Sequence, residues 1–117
     1  MNLVNPIQNV SILSRPNIFI MIVADFSLIP MGSETSAGKY IRAVYDMLDA
    51  SGVKFVPGPN STSIEAKSFK DIFDIVQRSN EKLAEMGVKR IITNIHIDHR
   101  LDKEISIESK LGASKKR

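Results

Sequence analysis

The clearest hydrophobic pattern lies in residues 90–100, where apolar and polar side chains alternate with a period of two. Alternation of this kind predicts a β-strand with one buried face. The buried face is β-branched: Ile91, Thr93, Ile95 and Ile97. The other face begins with Ile92 and then carries an amide, an imidazole, a carboxylate and a guanidinium, from Asn94, His96, Asp98 and Arg100. That face is either an exposed edge with mixed polar residues or a binding site or interface.

A second strand is predicted over residues 18–29, which are apolar on both faces. A strand of this composition is expected at the centre of a sheet, covered on both sides. Asp25 and Ser27 place polar groups on the face opposite Phe26. Pro30 is expected to end the strand because it has no backbone donor.

Helical spacing predicts two helices. The first follows a turn at residues 31–36, runs to about Ala50 and ends at Ser51-Gly52. A short strand (53–56), a rigid turn (57–61) and a returning strand (62–67) come next. The second helix begins at Ser68, with Asp71 three residues later as in a capping box, and ends at Met86-Gly87. Its predicted buried stripe is Phe69, Ile72, Phe73, Val76 and Leu83.

The order strand, helix, strand, strand, helix, strand predicts an α+β fold of the ferredoxin-like βαββαβ type. It is a four-stranded antiparallel sheet with both helices on one face. Residues 18–111 form the domain, residues 1–17 an irregular extension and residues 112–117 a basic tail, and residues 104–111 are compatible with a short helix. Met21 and Val23 would leave an apolar patch on the open face of the sheet. The chain is therefore expected to form a dimer or tetramer through that face or through the sheet edges.

Composition narrows the function classes. The net charge of +3 comes from the tail residues Lys115, Lys116 and Arg117, so no nucleic-acid-binding face is expected, and the tail is expected to be dispensable. The absence of cysteine suits a reducing cytosol. Residues 1–17 do not resemble a signal peptide, and no segment is long enough to span a membrane. The expected location is the cytoplasm, with no membrane partner.

The candidate chemistry does not favour an enzyme. His96 and His99 fall on opposite faces of a strand and cannot chelate one metal together, so no metal site is expected. His96 and Asp98 share a face but lie ~6.5 Å apart along the strand, and no activated serine accompanies them. We expect no catalytic residues and no cofactor.

Several short motifs together resemble one family. Ile29-Pro30-Met31-Gly32, with Thr35-Ser36 and Tyr40, is similar to a "PIG...S..Y" opening, and residues 58–65 are similar to a "GPMGT.iE" turn. Residues 87–91, 97–103 and 108–110 match further segments. These motifs resemble the small YkoF-like thiamine-binding proteins. The resemblance implies a ferredoxin-like fold, assembly into dimers and tetramers, and binding of thiamine or its pyrimidine part without chemistry on it.

Two departures from the family pattern lie beside the expected pocket. Asn60-Ser61 replaces a Met-Gly pair, and Ala66 replaces a usual glycine. Both changes bear on ligand preference.

The site is expected on the helix-free face of the sheet. There a central strand would place Asp25 and Ser27 between Glu65 on one side and the polar residues of the last strand on the other. Arg100, or a bound cationic ligand, would compensate the carboxylates. Thr62 and Ser36 would approach from the turns. The predicted ligand-binding residues are Asp25, Ser27, Ser36, Thr62, Glu65, Asn94, His96, Asp98 and Arg100.

Two functions follow from this hypothesis. The first is non-catalytic binding of thiamine or a related pyrimidine or thiazolium compound. The alternative is an oligomeric scaffold or regulatory protein without a small-molecule ligand, in which the same polar residues form a salt-bridged dimer interface.

Overall fold

The computed structural model describes residues 20–32 and 38–115. The predicted extension at residues 1–17 and the predicted site residue Ser36 lie outside these ranges. Seven elements follow one another: β1 (Ile22–Pro30), α1 (Gly38–Ser51), β2 (Lys54–Pro57), β3 (Thr62–Ala66), α2 (Phe69–Glu85), β4 (Ile91–Asp98) and α3 (Ile107–Lys115).

The four strands form one antiparallel sheet in the order β2-β3-β1-β4. The predicted α+β class and the four-stranded antiparallel sheet are confirmed. β1 is central, as its two apolar faces predict. It begins at Ile22, so residues 20 and 21 lie outside the strand, and the predicted start at Ile18 falls outside the described residues. Pro30 is its last residue and pairs with Ile91.

Both ends of α2 follow from the sequence. Ser68 is the N-cap, and its side chain accepts a hydrogen bond from the Asp71 backbone amide at 3.1 Å. Gly87, immediately after the C-cap, has a φ of 94°, which an L side chain rarely adopts. The predicted boundaries of this helix are therefore confirmed.

The buried stripe of α2 differs from the predicted one. Ile72, Ile75, Ser79 and Leu83 are buried, whereas Phe69 and Phe73 are 40% and 50% exposed. Compared with the prediction, the helix is rotated about its axis, so that both phenylalanines lie at the margin of its contact with the core. Their predicted burial is wrong.

The main core fills the space between the sheet and the helices α1 and α2. Ile22, Ala24 and Phe26 of β1 pack there against Val44 and Leu48 of α1 and against the buried residues of α2. Each fully buried Leu or Ile side chain contributes roughly 1.5–3 kcal/mol relative to an exposed one. We call this side of the sheet the core face and the opposite side the second face.

The second face is partly covered by α3 and the residues before it. Val23 is only 4% exposed and forms a small cluster with Ile105 and Ile107. The prediction that Val23 is left open for a subunit contact is therefore wrong. A Val23→Asp change would place a carboxylate in this cluster and would destabilise the fold itself.

The helix α3 extends beyond its predicted end at Leu111, to Lys115. Across residues 20–32 and 38–115, every helix is too short or too polar to cross a membrane.

Candidate functional site

The structure brings three of the predicted site residues together on the second face. Strand pairing places Asp25 directly opposite His96, and Val23 opposite Asp98. Asp25, His96 and Asp98 line a shallow cavity together with Lys110 of α3. On its other side Asp25 accepts a hydrogen bond from the Ser63 hydroxyl at 2.9 Å. Ser27 pairs with Asn94 two residues further along the same strands, on the same face of the sheet.

The charges of this cavity are balanced differently from the prediction. Asp98 forms its ion pair with Lys110. Arg100 lies beyond the end of β4 and binds Asp102 instead, through Nε at 2.6 Å and a second nitrogen at 3.0 Å. This hydrogen bonding raises the pKa of Arg100 and lowers the pKa of Asp102. The cation that pairs with Asp98 is therefore Lys110 rather than Arg100.

Glu65 is engaged in anchoring α3. Its Oε1 accepts the backbone amide of Ile107 at 3.0 Å and lies 3.6 Å from Lys54 Nζ. Lys54 also donates to Glu108 at 2.6 Å. That hydrogen bond is the main cause of the raised pKa of Lys54 and of the lowered pKa of Glu108. A carboxylate that already binds a helix N-terminus and a lysine has little hydrogen-bonding capacity left for a ligand.

Thr62 lies on the other side of the sheet. It pairs with Phe26, whose side chain is in the main core, and it is 8% exposed. By the alternation of a strand, Thr62 shares the core face and is separated from the Asp25 cavity by the sheet. The predicted site residues thus fall into two groups.

Thr62 belongs to a pocket at the end of the sheet, which we call the turn pocket. It encloses about 110 Å³ between the end of β1, the helix α1 and the turn that joins β2 to β3. Its lining residues are Phe26, Ser27, Leu28, Pro30, Tyr40, Ile41, Val44, Tyr45, Gly58, Pro59, Asn60, Ser61, Thr62 and Leu83. None of these side chains is charged. The pocket offers aromatic and aliphatic walls with hydroxyl and amide groups at the turn.

Two of the family-like motifs in the sequence meet at this pocket. Pro30 and Tyr40 belong to the first motif, and residues 58–62 belong to the second. The turn is closed by a hydrogen bond from the Gly58 amide to the Ser61 carbonyl at 2.9 Å. A Cβ at position 58 would lie 2.8 Å from that carbonyl oxygen, so the turn requires glycine.

In the sequence, Tyr40 is recognisable only as a motif residue and Asn60 only as a neighbour of the expected pocket, and no pattern assigns Tyr45 or Leu28 to a site. The convergence of the two motifs was the available signal. Across the described ranges, no group of three or more His, Asp or Glu side chains is arranged to hold a metal ion.

A family model described as thiamine-binding protein matches residues 24–115. The chain belongs to the thiamine-binding protein family. The resemblance that the motifs indicated is thereby confirmed.

Individual relatives support the membership. The UPF0045 protein YqgV of Bacillus subtilis is 37% identical over 101 residues, covering 82% of this chain and 96% of that protein. The crystal structure of a hypothetical protein of Methanocaldococcus jannaschii superposes with a TM-score of 0.73 at 27% identity, covering 83% of this chain and 98% of that one.

A second similar structure is that of a Thermotoga maritima protein described as a candidate thiamine biosynthesis or salvage protein. It has a TM-score of 0.68 and 26% identity, and the match covers 83% of this chain and 99% of that one.

Proposed function

We propose that this protein binds thiamine or a related pyrimidine or thiazolium compound in the turn pocket, in the cytoplasm and without chemistry on it. Family membership supports the class of ligand. The single observation that supports the location is the convergence of both family-like motifs on one pocket.

The walls of the turn pocket suit a neutral heteroaromatic ring better than a cation. The lining residues provide no carboxylate, and transfer of an unpaired cation into such a pocket is costly. An aminopyrimidine needs in-plane donors and acceptors, which Asn60, Ser61 and Thr62 supply from the turn. Tyr40 supplies an aromatic wall. The pyrimidine half therefore enters the pocket and the thiazolium half stays towards solvent.

The second face is the competing location, and its charges weaken that case. A cationic ligand is expected there only if the carboxylates lack a compensating positive charge. Asp25 is instead hydrogen-bonded by Ser63, Asp98 is paired with Lys110, and Glu65 is held by the Ile107 amide. The Ser63 hydroxyl is neutral, so Asp25 keeps its charge, but Asp98 and Glu65 are already held within the protein and only one of the three carboxylates remains for a cation.

The test is calorimetry with thiamine and, separately, with its aminopyrimidine and thiazolium halves. We expect wild-type protein to bind thiamine and the aminopyrimidine half. Asn60→Ala, at an exposed turn position, and Tyr40→Leu, which keeps apolar volume but removes the ring, should each weaken binding by about 1–2 kcal/mol.

Asp25→Asn is the matched control on the other side of the sheet, and it should leave the affinity unchanged. A loss of roughly 1–3 kcal/mol with Asp25→Asn, as expected for a desolvated charge contact, would move the site to the second face. If none of the three compounds binds wild-type protein or raises its melting temperature, the scaffold or regulatory alternative replaces this proposal.

We also assign the fold to the ferredoxin-like arrangement. Its support is the order of the first six elements and the strand order β2-β3-β1-β4, with α3 as an addition on the second face.

A further inference from the structure

Thr62 is a buried polar residue whose hydroxyl has no hydrogen-bond partner within residues 20–32 and 38–115. It is 8% exposed and lines the turn pocket. The other buried polar residue of these ranges, Ser79, is satisfied by the Ile75 carbonyl at 2.8 Å. Because buried hydroxyls are as a rule hydrogen-bonded, Thr62 indicates that a ligand group completes its bonding. The polar edge of a bound ring therefore lies against Thr62.

The mouth of the turn pocket is polar but uncharged. Asn60 is exposed and Ser61 is half-buried, and both line the pocket. The hydrogen bond from the Gly58 amide to the Ser61 carbonyl fixes the turn that carries them. Their amide and hydroxyl groups can bond a neutral hydroxyl substituent, but they provide no carboxylate for a cation. Both positions depart from the family pattern, so what they select is a property of this chain.

A lysine adds positive charge beside this mouth. Lys39 Nζ lies 5.1 Å from the centroid of the Tyr40 ring, and Tyr40 is a wall of the pocket. Among the residues that the structure describes, Lys39 forms no ion pair, so no carboxylate among them offsets its charge. A ligand cation at the mouth would be repelled by this ammonium. It would also compete with Lys39 for the aromatic face of Tyr40.

We propose that the turn pocket of this chain selects a neutral aminopyrimidine that carries a hydroxymethyl group over the cationic thiamine molecule. This inference rests on the proposed function and concerns the same pocket. In thiamine a methylene group joins the pyrimidine to the thiazolium, and in the free alcohol the same methylene carries a hydroxyl. With the ring bound at Thr62, that substituent reaches the mouth. There Asn60 bonds the hydroxyl, whereas Lys39 repels the thiazolium.

Calorimetry with three compounds separates charge from size. They are the free alcohol, thiamine, and deazathiamine, in which a neutral ring of nearly the same shape replaces the thiazolium. Wild-type protein should bind the alcohol about tenfold more tightly than thiamine, as expected for one hydrogen bond and one like-charge contact. Deazathiamine should have an intermediate affinity. Equal or tighter binding of thiamine would overturn this preference and leave the proposed function standing, whereas no binding of any of the three would overturn both.

Lys39→Met tests the repulsion, because it keeps the length of the side chain and removes its charge. It should raise the affinity for thiamine about threefold, as for an exposed charge contact, and leave the affinities for the two neutral compounds unchanged.

Lys70→Met is the matched control for Lys39→Met. Lys70 is exposed near the start of α2, whereas Leu83, the residue of α2 that lines the pocket, lies near its end. This variant loses the same charge and should change none of the three affinities. An unchanged affinity for thiamine in Lys39→Met, or an equal gain in Lys70→Met, would show that Lys39 does not select against the cation.

Asn60→Met tests the contact with the hydroxyl. The position is exposed, so the melting temperature should stay the same. The variant should bind the alcohol about tenfold more weakly and should lose clearly less affinity for deazathiamine, which has no hydroxyl on the methylene. Equal losses for the two compounds would show that Asn60 contacts only the ring, and would refute recognition of the hydroxymethyl group at the mouth.

Discussion

Ile107→Ala measures how firmly α3 is docked on the second face. Ile107 is 4% exposed and packs against Val23, at the point where α3 is also held by Glu65. The substitution removes three carbon groups at roughly 0.8 kcal/mol each, and incomplete collapse of the cavity adds to this. We expect a loss of about 2–4 kcal/mol, in the range of large-to-small changes in cores.

The assay is urea unfolding followed by circular dichroism, together with hydrogen exchange of the Ile107 amide. That amide donates to Glu65 and is protected only while α3 is docked. If α3 opens locally before the sheet unfolds, the exchange rate rises more than the global stability falls. The two measurements therefore separate detachment of the helix from unfolding of the domain.

Leu111→Ala is the matched control because it lies on the same helix and is exposed. It should change stability by less than about 0.5 kcal/mol, as is usual for surface positions. Equal losses from the two substitutions, or an unprotected Ile107 amide in wild-type protein, would refute the docking of α3 on the second face.

Three further predictions concern the turn at Gly58, the ion pair of Lys54 with Glu108 of α3, and the C-terminal tail. Gly58→Ala should destabilise the protein by about 1–3 kcal/mol and abolish binding in the turn pocket, since its Cβ meets the Ser61 carbonyl; thermal melting and calorimetry check this. Because Lys54 lowers the pKa of Glu108, the ion pair between Lys54 and Glu108 is fully present above the ordinary glutamate pKa. It is lost as pH falls through the lowered value. Glu108→Gln should therefore flatten the pH dependence of Ile107 amide protection below about pH 4.5. Deleting residues 113–117 should lower the melting temperature by at most a few degrees, because the deletion spares the buried Ile105–Ile107 anchor.

The sequence predicts the sheet well because strand alternation and helix caps are local. The alternation of β4 and the Ser68 cap needed only neighbouring residues to be recognised. The stripe of α2 was predicted less well. Phe69 and Phe73 fit helical spacing as well as Ile72 does, and the polar Ser79 is buried where its hydroxyl donates to the Ile75 carbonyl at 2.8 Å.

The position of α3 could not be predicted from a local sequence pattern. Its apolar residues gave only a weak helical signal, and its docking depends on Glu65, a distant residue on another element. Without α3, Val23 looked like an exposed patch and the second-face carboxylates looked uncompensated. The wrong prediction for Val23 and the missed partners of Asp98 and Glu65 all follow from the unpredicted docking of α3.

The turn pocket could be predicted only in part from the sequence. The two motifs were recognised separately, but a sequence does not show that Tyr40 and the turn at residues 58–61 converge. The alternation of β3 places Thr62 on the same face as Ile64, an apolar residue that is buried in the main core on the helix side. Because Asp25 belongs to the opposite face, strand alternation by itself is enough to separate Thr62 from Asp25.

The order in which the chain is synthesised gives the cover on the second face a further significance. All four strands leave the ribosome before α3 does, so the sheet can form while Val23 is still open to water. The contact of Val23 with Ile105 and Ile107 joins opposite ends of the described chain, and contacts of such long sequence separation are expected to form late. A nascent or truncated chain that lacks α3 would thus present an apolar site on the second face of the sheet. Chaperone binding or aggregation during synthesis would begin there.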